Sequence, residues 1–126
     1  MLGRIPLISK ILFLLTISAA LLVSSVSHAV FYYDGYTLKK FADADDRTDT
    51  GNAQAIDYAE SSNLIGFIVG VNDSIDGIFV CIPSRVKIGQ LVGMVKKYVR
   101  EHPDRWNIPA NTLVIDALSS TFPCKK

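Results

Sequence analysis

An all-α single domain of about four helices, closed by one disulfide and preceded by a cleavable export leader, is what this chain of 126 residues predicts. Three observations predict it. Residues 1–29 read as a leader, which leaves roughly 97 residues, enough for one domain with one modest core. Stretches in both halves of that remainder place their apolar residues at helical spacing. The chain has two cysteines, Cys81 and Cys124, and both fall in the exported part.

The leader reading starts from Arg4 and Lys10, which give a positively charged beginning. Residues 11–23 (ILFLLTISAALLV) carry no charge, and Ser27-His28-Ala29 supplies the small-x-small pattern of a cleavage site. Cleavage is therefore expected before Val30. An uncleaved membrane anchor would need about 20 apolar residues, and this run stops sooner, at Ser24, Ser25 and Ser27. No cysteine stands at the cut, which argues against a lipid-modified N-terminus. With the leader gone, 11 bases face 12 acids, so the net charge moves from +1 to −1. That near-balance argues against nucleic acid as a target, because phosphate binding needs a basic surface. The charges are unevenly spread: residues 30–77 hold nine acids and three bases, residues 78–126 eight bases and three acids. Attraction between the two halves within one fold is the simpler account, and a two-signed surface read by a partner is the sharper one.

Along the mature chain, Tyr36–Phe41 is a short candidate helix with Leu38 and Phe41 inward. Asp43–Gly51 is polar and acidic and reads as an exposed loop. Asn52–Val71 begins as a helix and is read as one long central helix, although the octet Leu64–Val71 is apolar on every side and alone also fits a buried strand. Gly66 and Gly70 would share one face of that helix. Asn72–Gly77 then reads as a turn and Ile78–Cys81 as a short extended piece leading to Pro83. In Ile88–His102 the apolar residues Ile88, Leu91, Val92, Val95, Tyr98 and Val99 line one face, Pro103 stops the helix, and Lys96, Lys97, Arg100 and His102 suit its negative end. A last helix is expected over Ile108–Ser120, with Asn107 as N-cap, Pro109 in the first turn, Ala110, Leu113, Val114, Ala117 and Leu118 inward, and Pro123 after its end.

Two cysteines in an exported chain point to a Cys81–Cys124 disulfide, since that compartment is oxidising. The closed loop would span 44 residues, worth roughly 4 kcal/mol on loop-entropy grounds. A catalytic alternative would pair Cys81 as nucleophile with His102, the mature chain's one histidine, as base. It would leave Cys124 free, and no glycine-rich turn surrounds Cys81. One histidine and two distant cysteines also lack metal-ligand spacing, so no metal and no cofactor are expected. Tyr32, Tyr33, Tyr36, Tyr58 and Tyr98 read mainly as core or edge packing. Trp106, between Pro103 and Pro109 in an interhelical loop, reads as exposed and as a candidate interface anchor.

Taken in order, Gly66-Phe-Ile-Val-Gly-Val71, Phe79-Val-Cys-Ile-Pro83, Gly89-Gln-Leu-Val92, Tyr98…His102-Pro103 and Ala117-Leu-x-x-x-Phe-Pro-Cys124 resemble the Rap/Tai-type immunity proteins, periplasmic inhibitors paired with type VI secretion amidase effectors. The resemblance spans roughly Tyr36–Cys124 and is strongest from Gly66 onward. It implies a compact all-helical homodimer that binds a secreted cysteine amidase attacking peptidoglycan, with no enzyme activity and no cofactor of its own. Family members often carry a further cysteine pair, at places that fall here near Phe41 or Ala42 and at Leu64; both are absent together, and Cys81–Cys124 matches the remaining bond. Lys87 stands where a capping threonine is common, and Trp106-Asn107 replaces an Arg-His pair. The family's effector contacts do not lie in these motifs, so candidate contacts are chosen by expected exposure: Asp73, Ser74 and Asp76 in the acidic turn, and Arg105 and Trp106 in the loop. A periplasmic inhibitor of a type VI peptidoglycan amidase is the leading function. A periplasmic helical adaptor of the same fold without a toxin partner is the alternative, and an exported hydrolase built on Cys81 and His102 stands third.

Overall fold

The computed structural model describes residues 31–125; the predicted leader and the cleavage site before Val30 lie outside the described residues. Four α-helices follow one another: α1 (Gly35–Asp49), α2 (Ala55–Ile75), α3 (Ile88–Glu101) and α4 (Ala110–Thr121), with a short 3-10 turn at Pro103–Arg105. Among the described residues no strand forms, only isolated backbone bridges at Asp34–Pro109, Asp76–Val80 and Val80–Pro123. The all-α reading holds, and the octet Leu64–Val71 is helix.

Asp34 starts α1. Its carboxylate accepts from the Thr37 N–H and the Thr37 hydroxyl, both at 2.8 Å, and these bonds hold its pKa below the usual carboxylate range. The helix then runs past Phe41 to Asp49, so Asp43–Asp49 is not the exposed loop its composition suggested. Ala42, Ala44 and Asp45 are buried there, and the acids serve as counterions for α3. Gly51, with φ of +74°, turns the chain where a side chain would be strained.

α2 opens at Ala55, where the Asp57 carboxylate accepts from the Gln54 N–H at 2.8 Å. Its buried face runs through Asp57, Glu60, Ser61, Leu64, Ile68 and Ile75, which follows the helical repeat although the stretch is apolar all round. The two acids near its start are not left bare: Arg47 reaches Asp57 at 2.6 Å and Lys40 reaches Glu60 at 2.5 Å. The helix extends through Asn72–Ile75, which sequence reading had placed in a turn.

α3 matches its expected span to within a residue and ends at His102 as C-cap, before Pro103. At its start Lys87 offers no side-chain cap, but its N–H donates to Gln90 Oε1 at 2.8 Å. α4 begins two residues late, at Ala110; Pro109, not Asn107, occupies the N-cap. The core gathers Leu38, Phe41, Leu64, Ile68, Val80, Val95, Val99, Leu113, Val114 and Leu118 from all four helices and the turn after α2. Tyr33 closes one end, with its ring edge-to-face on Phe41 at 5.3 Å and Phe67 at 5.5 Å, and its carbonyl accepting from the Ala110 N–H.

A further ionic link joins α1 to α3. The Lys96 ammonium on α3 is buried against Asp45 and Asp46 of α1, and Arg100 pairs with Asp46 one turn on. Asp45 also accepts from the Ser61 hydroxyl of α2 at 2.6 Å, so one carboxylate ties three helices together. The acid-rich first half and base-rich second half thus meet inside the fold, as the simpler account of the charge asymmetry requires.

Candidate partner-binding surface

Cys81 and Cys124 are bonded, with Cα atoms 4.8 Å apart. The Cys81 N–H donates to the Phe122 carbonyl at 2.9 Å, and Val80 bridges to Pro123. The turn after α2 and the tail after α4 are therefore fastened side by side. With its sulfur in the bond, Cys81 has no thiol to act as a nucleophile, which removes the hydrolase reading. His102 is engaged locally, its ring stacked on Tyr98 at 4.0 Å and its Nδ1 2.8 Å from the Tyr98 carbonyl.

The five sequence candidates separate into two groups. Asp73 and Ser74 lie exposed in the last turn of α2, and Asp76 is its exposed C-cap. The Ser74 hydroxyl donates to the Gly70 carbonyl at 2.7 Å, and one Asp76 oxygen accepts from the Ile82 N–H at 3.1 Å. Arg105 and Trp106 sit elsewhere and are tied into the fold. Arg105 donates to Tyr98 Oη at 2.6 Å and to Asp116 at 2.7 Å. Trp106 is half-buried against the core and its Nε1–H donates to the Val99 carbonyl at 2.7 Å. The expectation of an exposed tryptophan is thereby corrected: the 3-10 turn at Pro103–Arg105 folds the ring back onto α3. The Trp106 carbonyl also accepts from the Tyr36 N–H at 3.0 Å, and Gly35 lies so close that a Cβ there would stand 2.5 Å from the Trp106 Cα.

Next to the acidic end of α2 stands a feature that sequence reading missed. Instead of the expected extended piece, residues 77–79 form a tight turn. Ile78 is 67% exposed and Phe79 62% exposed, while Val80 directly after them is fully buried. What turns Ile78 and Phe79 outward is Gly77, whose φ of +77° reverses the chain at the helix end. The dipeptide Asp76-Gly77 was the signal in the sequence for such a reversal.

Asp45, Asp46 and Asp49 bring carboxylate oxygens within 4.8 Å of one another. The Lys96 ammonium already lies among them, within 3.9 Å of all three, so this cluster neutralises a lysine rather than offering a cation site.

No curated protein matches the sequence. Residues 34–124 match the family model of Rap1a immunity proteins, a span that takes in all four helices, both cysteines and the turn between α2 and Cys81. Immunity proteins work by binding a toxin effector, a task that asks for a rigid surface and no catalytic group. A disulfide-closed helical domain offers such a surface, and with the match extending over most of its length the chain belongs to the Rap1a immunity protein family.

Proposed function

We propose that the protein is exported, loses residues 1–29, and acts in the periplasm as the inhibitor of a peptidoglycan amidase delivered by type VI secretion. The observation that carries this reading is the family match over residues 34–124 in a chain whose first residues have the pattern of a cleavable leader. The Cys81–Cys124 bond supports it, because such bonds persist where the compartment is oxidising. An inhibitor gains affinity by avoiding ordering costs on binding, and a small domain closed by a disulfide brings a surface already shaped. In this reading Asp73, Ser74 and Asp76 face the amidase, and the two acids add steering toward a basic cleft rim. The protein works as a homodimer.

The test joins three measurements on protein purified from periplasm. Intact mass should place the N-terminus at Val30, and sedimentation should give twice the mature mass. Mixed with a purified type VI peptidoglycan amidase, the protein should bring release of peptides from peptidoglycan down to the background rate. Undiminished release in the presence of excess protein would overturn the amidase reading.

A further inference from the structure

We infer that Ile78 and Phe79 form a rigid apolar peg that seats in the toxin's cleft, with Asp73 and Asp76 beside it. The inference rests on the amidase reading and adds the residues that make the contact.

Three observations carry it. The first is exposure. Single apolar side chains scattered over a surface need no explanation, but Ile78 and Phe79 are adjacent, large and both more than half in water at the apex of one turn. Neither belongs to the buried core. The second is rigidity. Every backbone N–H from Asp76 to Ile82 has a partner: Asp76 on Asn72, Gly77 on Val80, and Ile78, Phe79 and Val80 on Ile75. Cys81 donates to Phe122 and Ile82 to the Asp76 side chain. Buried Val80 and the Cys81–Cys124 bond anchor the far side of the turn. This set fixes the backbone that carries the two side chains, so the turn is ordered before any partner arrives. The third is charge. The last turn of α2 holds Asp73 and Asp76 and no base. A convex apolar tip edged with acid fits a concave apolar pocket rimmed by bases, and clefts of that shape are where enzymes bind their substrates.

The chain has a concave apolar surface of its own, a groove of about 400 Å³ between α2 and α4 lined by Gly66, Phe67, Gly70, Val71 and Ile115. Charge decides against a second copy as the occupant. The groove reaches Ser74 and Ile75, which lie between Asp73 and Asp76, so a peg entering it would bring acids of one copy against acids of the other.

The experiment compares Phe79→Ala, Ile78→Ala and Tyr58→Ala in the mature periplasmic protein, by calorimetric titration with a purified type VI peptidoglycan amidase. Tyr58 is as exposed as Phe79 but sits in the first turn of α2, about 25 Å along the helix from its end. Phe79→Ala should raise Kd at least about 30-fold and Ile78→Ala about tenfold, while Tyr58→Ala leaves it unchanged. Melting temperature and sedimentation should stay as in the wild type for all three. Unchanged Kd for Phe79→Ala and Ile78→Ala, with tight binding by the wild type, would overturn the peg and leave the inhibitor reading standing. Loss of self-association in either variant would reassign the peg to a second copy and overturn the inference. A wild-type protein with no affinity for the amidase would instead overturn the reading beneath it, and the peg's occupant with it.

Discussion

Trp106 shows how a single side chain can look like a ligand contact and act as a beam. Its indole N–H holds the Val99 carbonyl near the end of α3, its own carbonyl holds the Tyr36 N–H in the first turn of α1, and its ring lies edge-to-face with Tyr36 at 5.6 Å. Lys39 stands 5.6 Å over the same ring. Removing the side chain leaves a buried carbonyl unpaired and a gap beside the core. Trp106→Ala should therefore cost about 2–3 kcal/mol, a drop of at least about 8 °C in melting temperature for a domain of this size. An unchanged melting curve would return Trp106 to the surface. Nothing local in Pro103–Pro109 announces this role, because the bonding partners come from two other helices. The same holds for Gly35, whose lack of a side chain matters because the Trp106 backbone and the Leu113 side chain crowd it.

At the scale of elements, the helices that were easy to read are those whose apolar stripe is set off by polar neighbours. In α3 the stripe of Leu91, Val92, Val95 and Val99 is buried as the spacing demands. α1 was only half legible, since its second half buries Asp45 where pattern reading looks for an apolar residue, and the counterion Lys96 lies 51 positions away in the chain. α2 was legible as a helix but not in its orientation, because apolar residues cover every side of Leu64–Val71. The Asp45–Lys96 link also sets a pH window. Burial alone would push the Asp45 carboxyl up, but hydrogen bonds from Lys96 and Ser61 with the charges of Lys96 and Arg100 outweigh it and hold it low. Burial would likewise lower Lys96, and hydrogen bonds to Asp45 and Asp46 raise it instead. A depressed carboxyl stabilises the fold above its ordinary value near about 4 and loses that contribution as pH falls through its folded value. A raised lysine stabilises below its ordinary value near about 10.4 and loses that contribution as pH climbs through its folded value. The link is therefore intact across the neutral range. Lys96→Met strands a buried carboxylate and should cost about 3–5 kcal/mol at pH 7. In that variant Asp45 protonates more readily, so the deficit against wild type should shrink as chemical denaturation is repeated at progressively more acid pH. A deficit independent of pH would assign the loss to packing instead.

For the molecule as a whole, the disulfide decides how much of the fold acts as one unit. α3 and α4 both lie inside the loop that Cys81–Cys124 closes, and the bond lies where the turn after α2 meets the C-terminal tail. Closing a loop of this length restricts the unfolded chain by about 4 kcal/mol, a large share of the 5–15 kcal/mol typical of a whole domain. The bond also acts locally, because it joins the Phe122 packing on the core and the backbone pairing of Phe122 and Pro123 with Cys81 and Val80 in keeping the tail from fraying. Replacing both cysteines by serine should cost about 2–5 kcal/mol in denaturant unfolding, and treating the wild type with reductant should give the same loss. Hydrogen exchange separates the two contributions. If the local one is present, the Cys81 amide, which donates to Phe122, should exchange faster in the double variant by a larger factor than amides in the middle of α1, which feel only the change in global stability. Equal acceleration everywhere would show that the bond acts through the unfolded chain alone. In that case the turn bearing Ile78 and Phe79 keeps its shape without the disulfide, and reduction should weaken amidase binding only where it unfolds the protein.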